Sequence, residues 1–247
     1  MERIKRNPIY SDLQWPSCIE GGPNHYWVTG HFGMIYHNEF RWLLFDFCRM
    51  HQIVYKEIGH IDEHLDNFLQ ENKENLNLSG NPKSEEDFYK ELQTSRMLDG
   101  IIAQEHENRG VIRFIDQMAV VGLWALSEQF LGRIYREYIA VKDSIDADTV
   151  TAPYKWNDFI DEYKSIGIDL SLCDNFQDAN ECRLVNNAIK HHPVIVGKLA
   201  EFPYFTSYKG KRIMEITLDM QRYLNGISNF LGSLFEKVDT KLKDSNN

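Results

Sequence analysis

The sequence predicts an all-α protein, a helical bundle of five to seven helices with an irregular, aromatic-rich N-terminal arm. Past residue 40, apolar residues recur at intervals of three and four, and no stretch alternates strongly as a strand does. Prolines and glycines are dense in the first 37 residues, which does not support a long helix there. We therefore expect an arm over residues 1–37, packed on the body, and a single helical domain over residues 38–247.

Two long helical segments are predicted in the first half of the domain. The first covers about residues 39–72 and leads into a polar loop. Ser84, with Asp87 three residues later, is predicted to cap the second segment. We expect Arg109 and Gly110 to interrupt this segment before it continues as a second, largely buried helix to about residue 141.

Three further helices complete the predicted bundle. Residues 155–166 have the spacing of a short amphipathic helix. Asp174 and Gln177 are predicted to cap the next helix, which Pro193 ends. A last helix is predicted over about residues 212–241, and its near-heptad spacing also permits a dimer seam.

Composition and charge restrict the classes of function. The chain has 27 Lys and Arg against 37 Asp and Glu, a net charge of -10, which argues against an indiscriminate polyanion binder. The longest apolar run, residues 118–126, is shorter than the roughly 20 residues that a bilayer requires. We expect no secretory signal, because the first eight residues contain no apolar stretch. The sequence contains four cysteines without a C-x-x-C pair: Cys18, Cys48, Cys173 and Cys182. We expect a cytoplasmic protein with free thiols and no membrane partner.

The helix predicted to end at Pro193 carries the most informative residues. At about 100° per residue, an arc of about 140° holds five polar side chains: Arg183, Asn186, Asn187, Lys190 and His191. Residues 183–212 contain six basic residues and one acidic residue. A basic segment in an acidic chain is typical of a localised phosphate site, because guanidinium and ammonium groups hold phosphate oxygens. A histidine beside them can accept and donate a proton near neutral pH.

The segment of residues 183–191, late in an all-helical chain and followed by one more long helix, resembles the HEPN superfamily (higher eukaryote and prokaryote nucleotide-binding domains). The resemblance implies a metal-independent endoribonuclease of a bacterial antiphage defence or toxin–antitoxin system, which cleaves RNA through attack of its 2′-hydroxyl. The family motif is an Arg, a polar residue and a His after four to six intervening positions. In this chain seven residues separate Arg183 from His191, and Asn186 occupies the Arg position of the tighter motif.

The resemblance also implies the roles of the residues and the partners. His191, Arg183 and Asn187 are the expected catalytic residues, and Lys190 and Asn186 are expected to bind the substrate. The resemblance implies no metal ion and no cofactor. The expected partners are RNA and either a second copy of the chain in a homodimer or another chain of the defence system.

Other interpretations remain open. The chain is alternatively a non-catalytic HEPN-like module that binds a partner protein or nucleic acid, or a helical scaffold without a site. Glu57 and His60 have the spacing of a di-iron bundle, but no second copy exists, and His60 with His64 is more typical of a solvated acidic face. His192 is expected on the apolar side of its helix, either as a core residue or as a residue that turns the chain before Pro193. The aromatic arm either caps the bundle or docks a partner or unpaired bases.

Overall fold

The structure, a computed structural model, describes residue 13 and residues 26–72 and 82–245. The predictions that concern most of the N-terminal arm and the polar loop, including Trp15, Cys18 and His25, lie outside the described residues.

The described residues confirm the all-α class and the helical bundle. They form no strand, apart from one antiparallel bridge between Val194 and Arg212. Short 3-10 turns connect several of the helices. The helices are α1 (Gly30–Ile35), which continues through a π-helical turn (Tyr36–Phe40), α2 (Arg41–Glu71), α3 (Glu85–Asp143), α4 (Trp156–Ser165), α5 (Phe176–His191), α6 (Pro203–Thr206) and α7 (Met220–Ser245).

The chain divides into two compact units that do not coincide with the predicted regions. Among the described residues, the first unit comprises most of Met50–Ile115, and the second comprises parts of Leu13–Arg49 and Asp116–Asn247. The boundaries between the two units fall within α2 and α3. This division does not test the predicted arm and single helical domain, which stay predictions.

The first unit pairs the end of α2 with the beginning of α3. Asn108 donates to Oδ1 of Asp62 at 3.1 Å, and both side chains are buried. Ile58 is the buried apolar side chain among the described residues of this unit, while Ile61 and Phe114 are among several that are exposed. The described residues of this unit therefore gain little stability from the burial of apolar side chains.

The second unit contains the main core, and α7 lies at its centre. The apolar residues of α7 recur by three and four and are fully buried: Leu224, Ile227, Phe230, Leu231, Leu234, Phe235 and Val238. The ring of Phe235 lies 5.9 Å from that of Phe40 and 6.2 Å from that of Phe130. Each such side chain contributes about 1.5–3 kcal/mol when it leaves water.

The helix α3 is continuous where the sequence predicted an interruption. The prediction of a break at Arg109 and Gly110 is wrong, because both residues are helical. The Arg109 guanidinium bonds to Oε1 of Glu105 at 3.0 and 3.3 Å, and a single glycine costs a helix only about 1 kcal/mol. The predicted cap is confirmed, since Ser84 Oγ accepts from the Asp87 amide at 3.1 Å.

The ends of two other helices differ from prediction. Asn175, in the left-handed region with φ 52°, precedes α5, so the predicted cap at Asp174 is wrong. The Asp174 carboxylate instead accepts from the Tyr26 hydroxyl at 2.7 Å. Helix α7 begins at Met220 and not at residue 212, because the Asp219 carboxylate accepts from the Arg222 amide at 3.1 Å and starts the helix there.

The described end of the N-terminal arm is helical from Gly30 onwards, although irregular structure was expected up to residue 37. Gly30 has φ +62°, and a Cβ atom on Gly33 would lie 2.5 Å from the Val28 carbonyl oxygen. Because glycine has no side chain, Gly30 can adopt this positive φ and Gly33 can pack closely against the Val28 carbonyl at the beginning of α1. Within the arm, Tyr26 is buried whereas Trp27 is exposed.

One described helix, α3, is long and apolar enough to cross a membrane by length and composition. A third of its apolar window is buried in the protein. Because the core helix of a soluble protein passes the same test, the expected lack of a membrane partner stays a prediction.

Candidate functional site

Helix α5 carries all five predicted site residues, and its opposite side is fixed in the core. Ala179, Cys182 and Val185 are buried among apolar residues of the second unit. The structure places the five polar residues in three different environments along this helix.

Arg183 is half-buried and held in place by its neighbours. Its Nε and Nη2 donate to Oδ1 of Asn180 at 3.0 and 2.9 Å, and its guanidinium carbon lies 5.0 Å from the centre of the Trp156 ring. Burial lowers the pKa of Arg183, and the charge of Glu128 opposes that effect. Among the described residues, no carboxylate forms an ion pair with this guanidinium.

The two asparagines form a pair behind the polar face. Asn186 is only 1% exposed, and its Nδ2 donates to Oδ1 of Asn187 at 3.1 Å. The Oδ1 atom of Asn186 is buried and has no hydrogen-bond partner in the described part of the chain. At this burial Asn186 positions Asn187, whereas direct binding of a substrate was expected of it.

Lys190 and His191 lie at the exposed C-terminal end of α5. The helix stops at His191, and the His192 amide donates to the Ala188 carbonyl at 2.9 Å. His192 is exposed as well, so the prediction that it lies on the apolar side is wrong, whereas its position directly after the last residue of α5 agrees with the alternative that it turns the chain. The reason is that the periodicity of α5 no longer applies at His192, whose φ of -153° is extended.

Backbone pairing brings two more cations to this end of α5. Beside the Val194–Arg212 bridge, the Ile195 amide donates to the Lys211 carbonyl at 3.0 Å. The Ile213 amide donates to the Pro193 carbonyl at 3.0 Å. The exposed basic residues of these paired segments are Lys190, His191, His192, Lys211 and Arg212, and we name this region the basic end of α5. The Nζ atom of Lys211 lies 5.5 Å from the centre of the Tyr208 ring. None of these five side chains forms an ion pair with a residue that the structure describes.

An open groove of about 660 Å³ lies beside the other end of α5. Its lining comes from α4, α5 and the turn Gly197–Glu201 together with the two residues after it, and we call it the α4–α5 groove. Arg183 lines this groove together with a second cation, Lys198. The rings of Trp156 and Phe176, also in the lining, are stacked with centres 6.0 Å apart and an interplanar angle of 25°.

The structure therefore separates Arg183 from His191. At 1.5 Å per residue, the two residues are about 12 Å apart along the axis of α5. Asn187 lies one turn before His191 on the same helix, where residues four apart are neighbours. Lys211 and Arg212 were part of the basic segment in the sequence, but no local pattern indicated that they pair with the end of α5.

The described residues contain no group of three or more His, Cys, Asp and Glu side chains that could hold a metal ion. His60 is exposed and lies 3.6 Å from Glu63 on the same helix. This is the geometry of an ordinary surface pair, which contributes little to stability.

No family model matches the chain, and the comparisons with curated proteins and with solved structures find no match. The resemblance of residues 183–191 to the HEPN superfamily therefore stays a prediction.

Proposed function

We propose that this protein acts on RNA at the basic end of α5, as a HEPN-like endoribonuclease of a bacterial antiphage defence or toxin–antitoxin system. The observation that carries the proposal is the collection of exposed basic groups there, without ion-pair partners among the described residues, in a chain of net charge -10. A local excess of positive charge attracts a polyanion even when the whole chain is acidic. Phosphate groups are the natural ligands of such a cluster.

The proposed chemistry uses a nucleophile that RNA itself supplies. The 2′-hydroxyl oxygen attacks the adjacent phosphorus, and the bond from phosphorus to the 5′-oxygen breaks. The products are a 2′,3′-cyclic phosphate and a free 5′-hydroxyl. His191 takes the proton of the 2′-hydroxyl or gives a proton to the leaving oxygen, and His192 or the His191 of a second copy performs the other transfer.

The remaining residues support these two proton transfers. Lys190 and Arg212 stabilise the negative charge that develops on the phosphate. Asn187, one turn before His191 and held by Asn186, orients the imidazole or the phosphate. Arg183, about 12 Å away along α5, contacts another part of the RNA.

Incubation with labelled single-stranded RNA in EDTA tests this proposal. We expect products that end in a cyclic phosphate, and we expect His191→Ala to abolish them. DNA of the same sequence should stay intact, because it lacks the 2′-hydroxyl. His60→Ala, which removes an exposed histidine of α2, should cleave as the wild type does. Intact RNA with the wild type, or equal cleavage by His191→Ala, contradicts the enzyme.

The second candidate is a non-catalytic module that binds nucleic acid or a partner protein. The position of Arg183 favours it, because Asn180 and Trp156 hold this guanidinium away from His191. In this case RNA should be shifted at low salt but not cut. Lys190→Ala should weaken that binding and reduce the salt slope of log K by about 1 for each lost phosphate contact.

We expect the active form to be a homodimer that brings two basic ends to one RNA, or a complex with a partner chain of the same system. Light scattering at micromolar concentrations measures this directly. A monomer mass throughout, with full cleavage activity, contradicts the homodimer.

A further inference from the structure

We propose that the α4–α5 groove is a subsite for one unpaired nucleotide of the RNA, so that the ligand is single-stranded and not duplex. The inference rests on the proposed function for the identity of the ligand. It concerns a surface that is separate from the basic end of α5 and is carried by residues with no role in the cleavage step.

Arg183 supplies a preformed anion contact in this groove. Asn180 binds one edge of its guanidinium through Nε and Nη2, and Trp156 lies against its face. The Nη1 atom forms no hydrogen bond with a described residue. The charge of Glu128 offsets only part of the cost of burying this cation, because no described carboxylate forms an ion pair with it, and a phosphate oxygen on Nη1 would compensate the charge further.

The floor of the groove suits a flat ring. The Trp156 ring already has the Phe176 ring at 6.0 Å and the Arg183 guanidinium at 5.0 Å. A base would therefore stack on the plane of the guanidinium, which lines the groove together with the apolar side chains of Ile160 and Phe202. Nucleobases stack on aromatic and guanidinium planes with little dependence on sequence. A volume of about 660 Å³ lies within the range of roughly 300–1,000 Å³ that small-ligand sites occupy, which is enough for one nucleotide.

The rim of the groove offers groups for the rest of a nucleotide. Lys198 adds a second positive charge for the phosphate. Glu201 can accept a hydrogen bond from a ribose hydroxyl or a base amino group, and Asn157 and Gln177 offer amides to a base edge. Stacking on the floor and contact with a base edge both require a base that is not paired. A duplex, whose bases are stacked and paired, therefore does not fit.

The groove and the basic end share one helix, which explains how they act together. A strand held at Arg183 continues along α5 toward His191, about 12 Å away. The nucleotide in the groove is therefore not the one that is cleaved. Its role is to position the strand.

Calorimetric titration of the full chain with adenosine 5′-monophosphate tests the subsite without cleavage. We expect adenosine alone and inorganic phosphate alone to bind at least tenfold more weakly than the mononucleotide. Arg183→Gln and Lys198→Ala should each weaken mononucleotide binding at least fivefold. The control variant Lys164→Ala, on the exposed side of α4, should bind as the wild type does. Circular dichroism confirms that each variant is folded.

The results separate the two proposals. No mononucleotide binding, or equal binding by wild type and Arg183→Gln, overturns the subsite whether or not RNA is cleaved. Mononucleotide binding that depends on Arg183 supports the subsite. If RNA cleavage does not depend on His191 and RNA binding does not depend on Lys190, the proposed function is overturned while the subsite stands. Equal affinity for single-stranded and duplex RNA of one sequence also contradicts the subsite.

Discussion

Arg222 on α7 donates two hydrogen bonds to the buried carboxylate of Glu181 on α5. The bond from Nη1 is 3.0 Å long, and the Tyr223 hydroxyl donates to the same carboxylate at 2.8 Å. Glu181 is only 1% exposed. Burial alone would lower the pKa of Arg222, but the hydrogen bonds and charge of Glu181 outweigh it and raise the pKa. This pair fixes α5 against the central helix, and with it the direction of the polar face.

Replacement of Glu181 should therefore destabilise the protein strongly. Glu181→Ala removes the carboxylate that accepts from Arg222 and from the buried Tyr223 hydroxyl, while Arg222 keeps its ion pair with Asp178 at 2.8 Å. We expect a loss of about 1.5–3 kcal/mol, the contribution of a hydrogen bond to a charged group. Urea unfolding measures the loss. Asp161→Ala, an exposed change on α4, should stay within about 0.5 kcal/mol of the wild type. Equal effects of the two changes would show that the pair does not stabilise the fold.

Because of Tyr135, the free energy of unfolding should decrease as the pH rises in the alkaline range. Burial, together with the hydrogen bond from its hydroxyl to Glu162 at 2.8 Å, raises the pKa of Tyr135 to about 12 from an ordinary value of 10.0. Because the folded state holds this proton more tightly, the contribution is complete below pH 10 and is lost as the pH rises toward about 12. The free energy of unfolding of the wild type should fall more steeply over this interval than that of Tyr135→Phe. Parallel curves would contradict the assignment.

The described thiols should be unreactive in the folded protein. Cys48, Cys173 and Cys182 are buried, and burial raises the pKa of each thiol, to about 11 for Cys173. Since the thiolate is the reactive form, a Cys18→Ser variant should show no reaction with a disulfide reagent at pH 8. Three thiols should react after unfolding in urea. Rapid reaction of the native variant would show that one of these sites opens.

Gly232 should not tolerate a side chain, whereas Gly110 should. A Cβ atom on Gly232 would lie 2.3 Å from the Tyr26 ring, so Gly232→Ala must displace that ring and its hydrogen bond to Asp174. We expect a loss of about 1–3 kcal/mol in urea unfolding. Outside the backbone of its own helix, no atom of the described residues lies within 4 Å of a Cβ on Gly110, so Gly110→Ala should stabilise α3 by about 0.4–1 kcal/mol. A stable Gly232→Ala variant would contradict the packing of Tyr26 on α7.

The helices that the sequence predicted well are those whose signal is local. Helix α4 was predicted over residues 155–166 and is Trp156–Ser165. The Ser84 cap was predicted from two residues three positions apart and is present. The beginnings of α5 and α7 were predicted less well, because residues such as Asp174 found partners elsewhere in the chain. The predicted interruption of α3 is wrong, because the free-energy cost of one glycine is small compared with the stability of the long helix on both sides of it.

The all-α class, the polar residues of α5 and the excess of basic residues after Arg183 are all predictable from the sequence, since helical periodicity and charge are properties of neighbouring residues. The environment of each polar side chain of α5 depends instead on tertiary packing. Arg183 lies against Trp156, Asn186 is buried behind Asn187, and the pairing of Val194 with Arg212 joins a second basic segment to the chain that follows α5. Such placements depend on packing between segments that are distant in the chain, and a helical wheel contains no information about the neighbours of a helix.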